Sequence, residues 1–226
     1  MRVAFFSDVH ANLEALYAVF STAADCDEIY CGGDLVGYGD RPNEVVQEIR
    51  SRIIPTVIGN HDCFALGLLE YDSTRDDLYR ASWTQSILDL DNVSWLEERP
   101  QQLLLNLSGI NITLTHASPW DLVTYLFKDS PYLLRAMPSD GSTLVVGHSH
   151  HGFIVDGENG RIVNCGSVGF PRSGRPGAQY AVLDTHKNEW SLRTADYDVA
   201  GLAHRLETAG WKSEIVSRLK DQNSKS

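Results

Sequence analysis

The chain opens on an apolar run, Val3 to Phe6, and after a polar break Leu13, Leu16, Tyr17 and Phe20 follow at helical spacing. The alternation then repeats. Residues 28–31 form a second apolar run, Val45, Val46 and Ile49 mark another helix, and 53–58 read as a third strand. Such a βαβαβ order predicts parallel strands joined by right-handed crossovers. Residues 75–98 read as mostly helical, with Leu78, Ala81, Leu88 and Trp95 as core candidates.

Past Pro100 the pattern changes to short strands and tight turns. Leu103–Leu107 and Ile110–Leu114 flank Ser108-Gly109, a hairpin signal. Ser130-Pro131 predicts a helix cap and a short helix to about Ala136. Leu144–Val146 is a further strand, and the runs 153–155 with 161–163, then 180–183 with 190–192, each flank a polar turn. Leu202, Leu206, Trp211, Ile215 and Leu219 give an amphipathic helical segment over about 198–221. That segment either packs on the rest of the chain or offers an apolar stripe to a partner, and a homo-oligomer stays open. The order suits one domain over 1–226, an α/β sandwich of two face-to-face sheets with helices outside.

Bulk properties narrow the class. With 226 residues, 42% hydrophobic and 22% charged, the chain can bury a substantial core. Its apolar stretches fall well short of the ~20 residues of a membrane helix, and no signal-peptide pattern precedes Val3, so a cytoplasmic protein without membrane contact is expected. A net charge of −11 disfavours a long nucleic acid as partner. Cys26, Cys31, Cys63 and Cys165 show no paired spacing and read as buried thiols.

Chemistry enters at the ends of the apolar runs. Asp8 and His10, Asp34 after two glycines, Asn60-His61-Asp62, His116, and His148 with His150 each follow a predicted strand. In an open α/β sheet, sites gather at the carboxyl ends of strands. Residues two apart in a regular strand project to one side, so Asp8 and His10 would reach one ion together. A carboxylate such as Asp34 can bridge two cations. The mixed imidazole, carboxylate and amide set suits two ions of the manganese, iron, zinc or nickel type better than magnesium. His151, His186 and His204 read as ordinary exposed residues.

The ordered set Asp-x-His, Gly-Asp, Gly-Asn-His-Asp, His and Gly-His-x-His resembles the calcineurin-like metallophosphoesterase superfamily. The stretches GDLVGYGDRPNEVV, THASP, VVGHSHHGF and NCGSVGFPRSG look most like its small bacterial and archaeal phosphodiesterase branch. The resemblance implies a four-layer αββα sandwich, two mixed β-sheets flanked by helices, with a dinuclear centre on its crest. Carried over by position, Asp8, His10, Asp34 and His150 would hold one ion, manganese first among the candidates. Asp34, Asn60, His116 and His148 would hold the other, and His61 would be the catalytic histidine beside them. Two such ions activate a shared water for in-line attack on phosphorus, with His61 assisting at the leaving group.

One departure stands out. Many members continue Gly-Asp-x-x-Asp-Arg, where the second Asp orients the catalytic histidine and the Arg grips phosphate; Gly37 and Tyr38 occupy those positions here. Asp62 or Asp40 is a candidate to orient His61, and Arg172 to clamp phosphate. Tyr38, Trp120 and Phe170 would form an aromatic wall for a base or aryl group. The expected activity is hydrolysis of a small phosphodiester of cyclic-nucleotide type. The alternatives are a phosphomonoesterase or phosphoprotein phosphatase on the same centre, and a non-catalytic protein-binding scaffold of the same fold. Residues 64–100 would either close over the site as a lid or flank it.

Overall fold

A computed structural model describes residues 1–172, 174 and 177–221. Its first half holds β1 (Arg2–Phe6), α1 (Leu13–Thr22), β2 (Glu28–Cys31), α2 (Pro42–Ser51), α3 (Asn60–Leu66), α4 (Asp76–Tyr79), α5 (Ala81–Ile87) and α6 (Leu90–Glu97). The second half holds β3 (Gln102–Leu107), β4 (Ile110–Thr115), α7 (Pro131–Ala136), β5 (Thr143–Val146), β6 (Phe153–Asp156) and β7 (Arg161–Asn164). β8 (Ala178–Asp184), β9 (Glu189–Ala195), α8 (Val199–Thr208) and α9 (Ser213–Asp221) complete it.

Two mixed sheets result. Sheet A has the order β2-β1-β8-β9 and sheet B the order β3-β4-β5-β7-β6. β1 pairs parallel with β2, while β4, β5 and β7 run parallel in sheet B. The alternation along β1 separates two cores, because successive side chains leave opposite faces of a strand. Ala4 and Phe6 pack with Leu16 and Val19 of α1 and Val45 and Ile49 of α2. Val3 and Phe5 pack instead with Leu114, Val145 and Val163 of sheet B. On the outer face of sheet B, Leu144, Val146 and Ile162 meet Leu133 and Ala136 of α7. The layers are therefore helix, sheet, sheet, helix. Phe5 and Phe6 are fully buried, and burying each stabilises the fold by about 2–3 kcal/mol.

Local signals act where the sequence placed them. Ser108 (φ 55°) and Gly109 (φ 88°) close the β3–β4 hairpin with a left-handed pair, as a primed turn requires. The Ser130 side chain accepts the Tyr132 N–H at 3.2 Å and Pro131 opens α7.

Three expectations need correction. Residues 53–58 form no strand: only Thr56 bridges Cys31, because Ile53 adopts φ 56° and Pro55 has no N–H for a ladder. Trp95 is only partly buried, and the adjacent Leu96 takes the core position of α6. The segment 198–221 is two helices separated at Gly210-Trp211, and Leu202, Leu206, Ile215 and Leu219 pack on Tyr38, Leu78 and Phe170. Its apolar stripe is thus covered by its own chain. Among the described residues no helix is long and apolar enough to cross a membrane.

Candidate metal centre

Four parallel strands supply the site. Asp8 and His10 follow β1, Asp34 follows β2, His116 follows β4, and His148 and His150 follow β5. β1 and β2 are the parallel pair of sheet A, β4 and β5 a parallel pair of sheet B, so their carboxyl ends meet at one crest. Asn60, His61 and Asp62 form the first turn of α3 at the same crest.

The backbone there differs from a strand. Asp8 (φ 57°), His10 (51°), Asp34 (54°), His148 (62°) and His150 (62°) are all left-handed. Asp8 and His10 therefore do not project from one side of a regular strand as expected, since β1 ends at Phe6 and both sit in loop backbone. Each such residue costs about 1–2 kcal/mol, least for short polar side chains that bond locally. The cost is offset by neighbours: the Asp8 N–H donates to Gly33 O at 2.9 Å, the His10 N–H to Asp34 O at 3.0 Å, and the His148 N–H to Asp8 Oδ2 at 2.9 Å. Gly33 permits this close approach, because at its φ of 86° a Cβ would stand 2.6 Å from Gly59 N.

Two groups of donor atoms face each other. Asp8, His10 and His150 each offer an atom within 4.8 Å of the other two, as do Asp34, His116 and His148. His10 Nε2 lies 3.0 Å from His150 Nε2, and His150 Nε2 lies 3.2 Å from Asp8 Oδ1. His116 Nε2 lies 2.9 Å from Asn60 Oδ1 and 3.3 Å from Asp34 Oδ2, which is also 3.7 Å from His10 Nε2. Asp34 Oδ2 thus stands between the two groups, and it is buried with no hydrogen-bond partner.

The far side of each ring is occupied. Nδ1 of His10, His116 and His150 meets the carbonyls of Val36 (3.0 Å), Gly32 (2.8 Å) and Phe170 (2.7 Å), and Nε2 of His148 meets Val123 O (3.1 Å). A carbonyl only accepts, so each ring places an N–H there and turns its other nitrogen inward. Converging lone pairs beside an orphaned carboxylate oxygen fit divalent cations, and a carbonyl behind each imidazole is the usual support of a metal ligand. The residues present therefore fit two ions.

Charge follows burial. Burial lowers His10 well below the usual imidazole value, and lowers His148 to about 3 and His61 to about 4, with neighbouring histidines adding to each shift. For Asp34, burial alone works upward, but the surrounding His116, His61 and His10 rings hold the carboxyl well below its ordinary value.

His61 sits beside both groups. Its ring lies 4.9 Å from that of His10 and touches Tyr38 (4.8 Å), Tyr79 (4.8 Å) and Phe64 (5.3 Å), and the His61 backbone N–H donates to Asp34 Oδ1 at 2.8 Å. Neither acid proposed to orient it does so. Asp62 accepts the N–H groups of Asp34, Leu35, Val36 and Gly59 and shapes the loop that carries Asp34. Burial and the Asp34 carboxylate push Asp62 up to about 7, while those N–H groups pull it down. Asp40 pairs with Arg205 at 2.7 Å, which also holds Glu14. His61 Nδ1 is buried without a partner and lies 2.8 Å from where a Cβ on Gly37 would stand. The glycine in place of the usual Asp thus leaves room for the ring, which is wedged by aromatics.

The outer residues divide. Tyr38 is buried, packs on Phe170 at 5.3 Å and stands edge-on to His10 at 4.6 Å. Arg172 is exposed, its backbone N–H bonds His150 O at 2.9 Å, and its charge is felt by the Tyr38 and Tyr79 hydroxyls. Trp120 is not part of this wall: it packs with the α7 core, under Arg135 and near Tyr132. Tyr79 takes its place, and with Phe64 it shows that this stretch flanks His61. Tyr125, which stacks on His148 at 4.1 Å, was also missed; no local pattern marks a loop aromatic as a site residue. His186 and His204 are exposed as expected, and His151 is partly buried, bonding Ser149 O.

Known proteins resemble this chain in sequence and fold. An uncharacterized protein of Methanocaldococcus jannaschii is 31% identical over 217 residues, covering 87% of this chain and 88% of its own length. A symmetrical bis(5'-nucleosyl)-tetraphosphatase of Pasteurella multocida is 34% identical over 109 residues, 43% of this chain and 37% of that protein. The crystal structure of a metallophosphoesterase from Sphaerobacter thermophilus superposes with a TM-score of 0.81 at 30% identity, over 98% of this chain and 99% of that one. The sequence model of the calcineurin-like phosphoesterase superfamily domain spans residues 1–188, and so takes in every strand end of the crest. The chain belongs to that superfamily and is a phosphoric ester hydrolase.

Proposed function

We propose that this hydrolase is a two-metal phosphodiesterase of small phosphorylated molecules, nucleotide-like diesters foremost. The observation that carries the reading is Asp34 Oδ2, a buried carboxylate oxygen with no hydrogen bond, standing between two groups of inward-facing nitrogens. Asp8, His10, Asp34 and His150 would hold one ion, and Asp34, Asn60, His116 and His148 the other. The imidazole-rich set argues against magnesium and suits iron, zinc or nickel, and the family resemblance puts manganese first among the candidates. When bound, the ions supply the positive charge that activates water and neutralises phosphoryl oxygens.

The chain's own residues do the rest. His61 would serve the leaving oxygen, and with Nδ1 enclosed against Gly37, Nε2 would be the atom that moves a proton. Its ring is neutral before substrate arrives, because burial lowers it to about 4, and an anionic phosphate nearby favours its protonation. Asp34 fixes His61 through the backbone N–H. Arg172, whose backbone N–H bonds His150 O, would grip phosphate in lieu of the missing arginine, and Tyr38 would wall the mouth. Four free cysteines, three of them buried, suit the reducing cytoplasm.

A second reading is cleavage of a phosphoanhydride in a dinucleoside polyphosphate, favoured by the tetraphosphatase relative. A scaffold role is disfavoured, because His61 and a full candidate ligand set are kept together.

Bis-p-nitrophenyl phosphate hydrolysis by chelator-treated protein, with Mn²⁺ restored, tests the reading. Turnover that returns with metal, and falls roughly 10²–10⁴-fold in His61→Ala at unchanged metal content, supports it. Absence of turnover in metal-loaded protein would count against a diesterase.

A further inference from the structure

We propose that Tyr125 and Phe127 form a docking platform for the nucleobase of the substrate, an inference that rests on the phosphoesterase reading above. The Tyr125 ring stacks on His148 at 4.1 Å and 25°, and Phe127 lies parallel to Tyr125 at 5.6 Å and 5°. Phe127 then meets His151 edge-on at 5.6 Å. An aromatic strip therefore runs outward from the crest, beginning on a candidate metal ligand.

The strip is exposed and firmly held. Tyr125 is 42% and Phe127 40% accessible, unlike Leu126 between them, which is buried in the α7 core. The loop before them is tied by Asp121, which accepts the N–H groups of Val123 (2.9 Å) and Thr124 (2.7 Å) and the Thr124 hydroxyl (2.6 Å). Val123 O in turn holds His148 Nε2. Exposed aromatics on an ordered loop offer a flat surface at little entropic cost to a ligand.

Position selects the ligand. A phosphate on the crest would put its ester substituent beside this strip. Across the mouth stand Tyr38 and Tyr79, whose hydroxyls sense that of Tyr125, and Arg172 acts on the same two tyrosines. A planar, neutral ring attached to phosphate matches aromatic faces beside a cation; a sugar phosphate alone leaves them unused. Base–aromatic stacking is sequence-tolerant, so the platform discriminates a nucleotide from a non-aromatic phosphate, and one base from another only weakly.

Calorimetric binding of AMP and of ribose 5-phosphate to Mn²⁺-loaded protein tests this. AMP is expected to bind roughly tenfold more tightly, and Phe127→Ala to remove most of that preference while Phe127→Trp keeps it. Equal affinity for the two ligands, binding of neither, or a Phe127→Ala loss shared equally between them would overturn the platform. Bis-p-nitrophenyl phosphate turnover, followed in parallel, reports the crest separately. Retained turnover without base preference rejects the platform alone, and base preference without turnover rejects only the diesterase reading.

Discussion

Asp34 Oδ2 lies 3.3 Å from His116 Nε2 and 3.7 Å from His10 Nε2 and has no hydrogen-bond partner, so a buried negative charge of the crest is balanced at that oxygen by imidazoles alone. Asp34→Asn keeps the shape and removes the charge. Elemental analysis after desalting should find the variant short of both ions, with turnover down by at least about 100-fold. Full occupancy of both positions would show that Asp34 is not shared.

Metal uptake should release protons. Burial is the largest single influence on His116 and lowers it, but Asp34, Asp8 and the Gly32 carbonyl together outweigh it and raise the ring to about 9. A raised imidazole keeps its proton below that pH, so at neutral pH the metal-free ring is charged and must lose a proton to ligate through Nε2. Affinity for Mn²⁺ should therefore weaken as the pH falls from about 9. Calorimetry in buffers of different ionisation enthalpy counts the protons, and a count of zero at pH 7 would contradict the assignment.

How much of this was legible in the chain depends on what each residue does. Apolar runs such as Val3–Phe6 and Leu144–Val146 declare themselves because a strand buried on both faces is continuously hydrophobic, and the polar residues that end them mark the crest. The run 53–58 deceived because Ile54, Val57 and Ile58 are buried without a ladder, Ile53 being exposed and Pro55 having no N–H to give. The left-handed φ of Asp8, His10, His148 and His150 leaves no trace in hydropathy, so the spacing brought these residues to one crest through the wrong geometry. Asp62 looked like a partner for His61 because they are adjacent, yet its carboxylate turns to four backbone N–H groups. Tyr79 and Tyr125 reach the mouth only through tertiary packing.

Gly37 makes room for His61. An alanine there would need φ near 87°, costing about 1–2 kcal/mol, and would set its Cβ 2.8 Å from Nδ1 of the ring. Gly37→Ala should lower kcat while leaving metal content near that of the parent protein. Unchanged kcat at full metal content would mean that the position of His61 is not limiting.

The C-terminal helices bear on the mouth through one bond. Trp211 Nε1 donates to Tyr38 O at 2.6 Å, and its ring packs under the Arg80 guanidinium at 4.3 Å. Trp211→Phe keeps the aromatic contact and strands the carbonyl, at a cost of about 1–3 kcal/mol. Urea unfolding should register that loss, and an unaltered midpoint would show that the bond contributes nothing net.

Because the crest draws Asp8, His10 and Asp34 from loops of one sheet and His116, His148 and His150 from loops of the other, no half of the sandwich carries a complete site. Such a centre is expected to be completed only once the sheets have docked. Ions gripping it are expected to slow unfolding while leaving refolding almost untouched. The lifetime of the native molecule would then follow the supply of metal: a loaded molecule is kinetically trapped in its fold, and a starved one first parts along the seam between its sheets.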